Sequence, residues 1–132
     1  MTDLNTYRFG VNYTPSRDWY YCWNDFHPDA IERDFDAIAE LGMDHLRVMT
    51  IWPYFQPDPG WVSPAHIDRL RTMMNLAADR KLDVWVVLFN GHLTGQGFRP
   101  GYDKKWPFFT SPEYRTVQER YVRELAGAMT DL

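Results

Sequence analysis

An α/β fold on a parallel sheet is predicted by three features of the sequence. Short apolar, β-rich runs begin at positions 8, 46 and 84, an even spacing. Between and after them lie segments whose apolar residues recur three or four apart, the period of a helix with one buried face. Near-continuous apolar strands alternating with such helices are the signature of a parallel sheet, because crossover helices cover its faces. Finally, the connections are asymmetric: those following the strands are long (14–27, 52–62 and 90–110), whereas a return such as Gly42-Met43-Asp44-His45 is short. In α/β proteins the loops beyond the strands' carboxyl ends build the site and the return loops serve stability.

The first strand is expected near 8–13 (RFGVNY). A helix near 28–41 follows, with Ile31, Phe35, Ile38 and Leu41 on one face and Gly42 as the residue just past its end. The second strand spans about 46–51 (LRVMTI). The second helix, near 63–80, opens with Ser63 as N-cap and Pro64 at the first helical position, then buries Ile67, Leu70, Met73 or Met74, and Ala77. The third strand, near 84–89 (VWVVLF), leads to a helix near 111–129 that repeats the Ser-Pro start with Ser111 and Pro112. Tyr114, Val117, Tyr121, Leu125 and Met129 form its apolar face. Residues 1–132 read as a single domain, with no linker or low-complexity tract.

Composition narrows the function classes. At 132 residues, 45% apolar and 24% charged, the chain has enough material for one core and the balance of a globular protein. A formal charge of −4, with no basic run interleaved with aromatics, argues against nucleic acid as a partner. The single Cys22 excludes an intramolecular disulfide, and Met1-Thr2-Asp3-Leu4-Asn5 lacks the basic start and apolar stretch of a signal peptide. The longest apolar run, Val84 to Phe89, is too short to cross a bilayer. A cytoplasmic protein with no membrane partner is expected. Four scattered His and one Cys give no metal-ligand spacing, and Gly95 to Gly101 has neither the spacing nor the following helix of a dinucleotide fingerprint. No cofactor or metal is expected.

Aromatic residues make up 17% of the chain, and most fall in the long connections after the strands. Trp19, Tyr20, Tyr21, Trp23 and Phe26 lie in the first, Trp52, Tyr54, Phe55 and Trp61 in the second, and Phe98, Tyr102, Trp106, Phe108 and Phe109 in the third. Such a wall at one end of a sheet suits a carbohydrate, whose flat C–H faces stack on indole and phenol rings. The alternative is that the loops fold down and use these rings as a satellite core.

Four polar residues are delivered to the same end: Asn12 at the close of the first strand, Arg47 within the second, and Asn90 and His92 after the third. A guanidinium in an apolar strand calls for a partner, most naturally a carboxylate. Together with Tyr13, Trp23, Trp52 and Trp106, the residues Asn12, Asn90 and His92 are the candidate substrate contacts. No acid directly ends a strand. Glu32, Glu40, Glu113, Glu119 and Glu124 fall on helices, and the loop acids Asp18, Asp25, Asp58 and Asp103 sit in polar or turn settings. Glycoside hydrolysis needs two carboxyls flanking the bond, about 5–5.5 Å apart for retention or 6.5–9.5 Å for inversion, and no such pair stands out.

The runs FGVNYTPS (9–16), DFDAIAELGMDHLRVMTIW (34–52), FQPDPGWVS (55–63) and DVWVVLFNGHLTG (83–95) resemble the N-terminal part of retaining (β/α)8 glycoside hydrolases, nearest the family-five cellulases and mannanases, with family forty-two β-galactosidases as neighbours. The resemblance implies three βα units of a TIM barrel acting on β-linked glycans. It also implies that Arg47 matches the second-strand arginine that hydrogen-bonds the nucleophile, and that Asn90 or His92 faces the sugar. The catalytic glutamates of those enzymes end the fourth and seventh strands, beyond Leu132, so no catalytic residue is assigned here and the isolated chain is expected to be inactive. Three parallel strands leave two sheet edges and an inner face open, so self-association through that face is a further expectation. The alternative reading is a stand-alone carbohydrate-binding or self-associating α/β module.

Overall fold

In a computed structural model, which describes residues 7–90, 92–93, 95–102, 107 and 109–131, three parallel strands form one sheet in the order β1-β2-β3. They are β1 (Gly10–Asn12), β2 (His45–Met49) and β3 (Asp83–Val87). The helices are α1 (Pro28–Glu40), a single-turn α2 (Trp52–Phe55), α3 (Pro64–Ala78) and α4 (Pro112–Ala128). Beyond β3, the two-residue strands β4 (His92–Leu93) and β5 (Gln96–Gly97) pair antiparallel. The α/β class and the three βα units agree with the sequence reading. Each strand is shorter than its apolar run, although backbone bonds between neighbours continue just past the ends, from the Tyr13 N–H to the Arg47 carbonyl at 3.0 Å and from the Thr50 N–H to the Val87 carbonyl at 3.1 Å. Among the described residues no helix is long and apolar enough to cross a membrane.

The helix ends follow local chemistry. Gly42, at φ +75°, closes α1: its N–H bonds the Ala39 carbonyl at 2.9 Å and the Met43 N–H bonds Ile38 at 3.3 Å, a Schellman closure. The same closure ends α3, with Lys81 (φ +59°) bonding Ala78 at 2.9 Å and Leu82 bonding Ala77 at 3.0 Å. At α4 the Ser111 hydroxyl accepts the Tyr114 N–H at 3.2 Å, as an N-cap should. Ser63 precedes α3 but does not cap it through its side chain; its Oγ lies 2.8 Å from His66 Nδ1 instead.

Register sets the two faces of the sheet. Gly10 opposes His45 and Asn12 opposes Arg47, while Arg47 opposes Trp85 and Val48 opposes Val86. Alternation therefore sends Leu46 and Val48 toward the helices, where they pack with Ile31, Phe35, Leu70, Met73 and Ala77 in the core. Asn12, Arg47 and Trp85 share the opposite, open face. At the strands' entry ends Arg8 ties the sheet together. Its Nε donates to Asp44 at 3.2 Å and its Nη2 to Asp83 at 2.7 Å, and Asp44 also holds His45 Nδ1 at 2.6 Å.

Candidate functional site

The open face at the carboxyl ends of β1 to β3 brings together two of the sequence-predicted residues. Arg47 Nη1 donates to Asn12 Oδ1 at 3.3 Å across the register-matched pair. The expected carboxylate is absent: among the described residues no acid forms an ion pair with Arg47. No desolvation compels one, since both Asn12 and Arg47 are exposed and water solvates the guanidinium. On the same face Trp85 is 57% exposed and stacks on His45, with ring centroids 5.1 Å apart and planes 27° from parallel. Sequence reading placed Trp85 in a strand without assigning it to the site. Counting alternate residues from Arg47 across the register would have found it.

Tyr13 falls out of the site for the same reason of parity. It is one residue beyond Asn12 and points to the other face, where it is 4% exposed, its hydroxyl donates to Asp34 of α1 at 2.8 Å, and its ring meets Phe35 edge-on at 5.0 Å. Burial and that hydrogen bond to a carboxylate raise its phenol pKa far above the ordinary value. Tyr13 ties the first strand to the first helix.

Trp23 and Trp52 also prove to be core. Each is 1% exposed. Trp23 lies in a short 3-10 turn (Trp19–Trp23), where its Nε1 donates to the Met49 carbonyl at 2.9 Å and its ring meets Phe55 at 4.9 Å. Trp52 stacks with Tyr121 at 6.2 Å and meets Phe89 edge-on at 4.8 Å. These loops carry aromatics because they fold down onto the strand ends and need an interior of their own. At its centre is Gln56, fully buried, which accepts the Trp52 indole N–H at 2.8 Å and donates to the Val117 carbonyl at 3.1 Å, while its own carbonyl accepts the Tyr102 hydroxyl at 3.1 Å. Cys22 belongs to the same interior, and burial pushes its thiol up to about 12, an unreactive state.

Asn90 and His92 part company. His92 is exposed on β4. Asn90, just past β3, is 7% exposed, and neither its amide oxygen nor its nitrogen has a hydrogen-bond partner among the described residues. A buried primary amide left unpaired costs about 1–3 kcal/mol, so the position favours a polar partner. Trp106 lies outside the described residues. Around the mouth of this face, Trp19 contacts Tyr20 at 4.5 Å, Tyr21 at 5.7 Å and Phe98 at 5.9 Å, and Tyr21 is itself exposed. The arrangement can hydrogen-bond hydroxyls or a carboxylate through Arg47 and Asn12 and stack a flat apolar face on Trp85. Asp18, Asp25 and His27 place ligand atoms within 4.8 Å of one another off to the side, where His27 also approaches Asp25 at 3.1 Å.

No protein-family model and no curated protein matches the chain. Solved structures do. A GH5_18 protein from Streptomyces cattleya, in complex with GlcNAc, superposes with a TM-score of 0.91 and 41% identity over 94% of this chain and 30% of its own. A substituted GH5_18 protein from Bifidobacterium longum subsp. longum, in complex with Manβ1-4GlcNAc, gives 0.91 and 34% over 96% of this chain and 30% of its own. An exo-β-1,4-mannosidase from Opitutaceae bacterium strain TAV5 gives 0.88 and 26% over 94% and 22%. The chain thus spans about 30% of the length of the first two structures. Its three βα units share their fold with glycoside hydrolases of family GH5 and with an exo-β-1,4-mannosidase.

Proposed function

We propose that the chain forms the first three βα units of a retaining (β/α)8 glycoside hydrolase that cleaves β-linked mannosides, Manβ1-4GlcNAc being the model substrate. One observation carries this reading: the 34% identity to the Bifidobacterium longum structure bound to Manβ1-4GlcNAc, held over 96% of the chain at a TM-score of 0.91. The open face supports it. In a two-carboxylate mechanism the nucleophile attacks the sugar as an anion, about 5–5.5 Å from the acid that protonates the leaving oxygen. A guanidinium beside that nucleophile favours its ionised form and fixes its direction. Arg47 is the group for this task, oriented by Asn12, and both glutamates come from later strands of the barrel. Trp85 forms the floor beneath them, and the unpaired Asn90 amide awaits a polar group at the rim.

The test is a chimera joining residues 1–132 to the remainder of the Streptomyces cattleya protein. It should hydrolyse Manβ1-4GlcNAc, and Arg47→Ala in it should lower kcat/KM by roughly 10²- to 10³-fold, the cost of losing one pre-oriented electrostatic group. The 132-residue chain by itself should give no turnover. A folded but inert chimera, or hydrolysis by the isolated chain, would refute the assignment.

A further inference from the structure

The connection after β1 holds two consecutive strained residues whose strain the candidate site does not explain. Asp18 and Trp19 both carry side chains at positive φ, 61° and 52°. Asp tolerates this left-handed region, but a bulky Trp there is an outlier, and such a backbone costs about 1–2 kcal/mol per residue. Strain of this kind persists where the surroundings enforce it, and it clusters at binding sites. Here it displays two rings. The turn that follows buries Tyr20, Cys22 and Trp23 and is closed by the Tyr21 N–H on the Asp18 carbonyl at 2.9 Å. Trp19 is left half-buried and Tyr21 48% exposed, with their rings edge-on at 5.7 Å. Two buried rings, Tyr20 at 4.5 Å and Phe98 at 5.9 Å, fix the indole in place, and Phe98 belongs to the connection after β3.

The strands place these rings relative to the site. Alternation along β2 puts Met49 on the same face as Arg47, two residues and roughly 6–7 Å further toward the strand's end. The Tyr20 hydroxyl donates to the Met49 sulfur at 3.7 Å, and Trp19 lies against Tyr20. The indole therefore sits one step outward from the layer of Asn12, Arg47 and Trp85. Immediately before it in the chain, Arg17 and Asp18 are exposed and ion-paired at 3.2 Å, and they offer donor and acceptor atoms to hydroxyls. We propose that Trp19 and Tyr21 form the platform that binds the leaving sugar of the substrate, and so determine which aglycone the site accepts. The inference rests on the glycosidase reading above and adds the residues that recognise the second ring. A pyranose with equatorial ring substituents, as in GlcNAc, lays an unbroken C–H face on the indole.

Both rings, and the Tyr20 and Phe98 that back them, belong to this chain, so the test uses all 132 residues as they stand. GlcNAc is titrated into the chain and its binding followed by saturation-transfer NMR. The wild-type chain should bind it, and Trp19→Ala and Tyr21→Ala should each weaken binding about ten-fold. Trp19→Phe should recover most of the loss, because a phenyl ring also stacks. Tyr21 is half in water, so its substitution spares the fold and keeps the test decisive should Trp19→Ala fail to fold. No binding by the wild-type chain, binding indifferent to both alanine substitutions, or a Trp19→Phe chain no better than Trp19→Ala overturns the platform. Measurements on the chimera described above separate the platform from the reaction. GlcNAc binding through Trp19 without hydrolysis of Manβ1-4GlcNAc sinks the glycosidase reading and leaves the platform standing. Hydrolysis whose KM ignores Trp19→Ala does the reverse.

Discussion

At Gly10 the sheet leaves no room for a side chain. A Cβ there would lie 2.3 Å from the His45 carbonyl oxygen and 2.6 Å from its ring, because His45 lies across the strand on the open face. Gly10→Ala should therefore destabilise the chain by about 1–3 kcal/mol, the usual cost of overpacking, as measured by chemical denaturation. No shift in the midpoint would show that β1 yields freely. Single residues also mark where sequence reading reached its limit. Asn12 and Tyr13 are adjacent polar residues at a strand end, and only the register decides which faces the site and which ties β1 to α1. Arg47 was legible as a strand-borne charge, but not that its partner would be an amide. Gln56 gave no signal, since nothing in a Phe-Gln-Pro-Asp turn foretells that its side chain will link an indole to a helix carbonyl.

Elements were the most legible scale. Ser-Pro starts, a glycine stop and apolar residues three or four apart placed all three long helices within a residue or two, because these signals are local. The aromatic connections were harder: composition shows that rings are present, while only the fold determines whether they face a ligand or one another. Two predictions belong to the helix ends. Lys81 holds a left-handed conformation that costs a side-chain-bearing residue about 1–2 kcal/mol, so Lys81→Gly should stabilise the chain by roughly 1 kcal/mol in a denaturant melt. An unchanged or lower midpoint would contradict this. At the other end of the layer, Arg71 of α3 grips Asp131 beyond α4 through two bonds of 2.7 and 2.8 Å and also donates to the Ala128 carbonyl. That grip holds the Asp131 carboxyl down to about 2, below the ordinary 3.8. A depressed acid contributes stability that is complete above its unfolded value and disappears as pH falls through its folded one. Asp131→Asn should thus lower the Tm at pH 6 and have a much smaller effect near pH 2, and an equal effect at both would discount the pair.

At the scale of the molecule, the described residues cover the sheet with helices on one face and leave the other bare, with the polar pair and Trp85 at the centre of the bare side. The bareness has a spectroscopic consequence. Trp23 and Trp52 are sealed in the interior and should emit at short wavelength in any folded state, whereas Trp85 sits in water at 57% exposure. Anything that covers the open face must dehydrate that indole. A ligand or partner that covers this face should therefore announce itself as a blue shift in intrinsic fluorescence that Trp85→Phe abolishes, giving the chain a built-in optical reporter of its own open face.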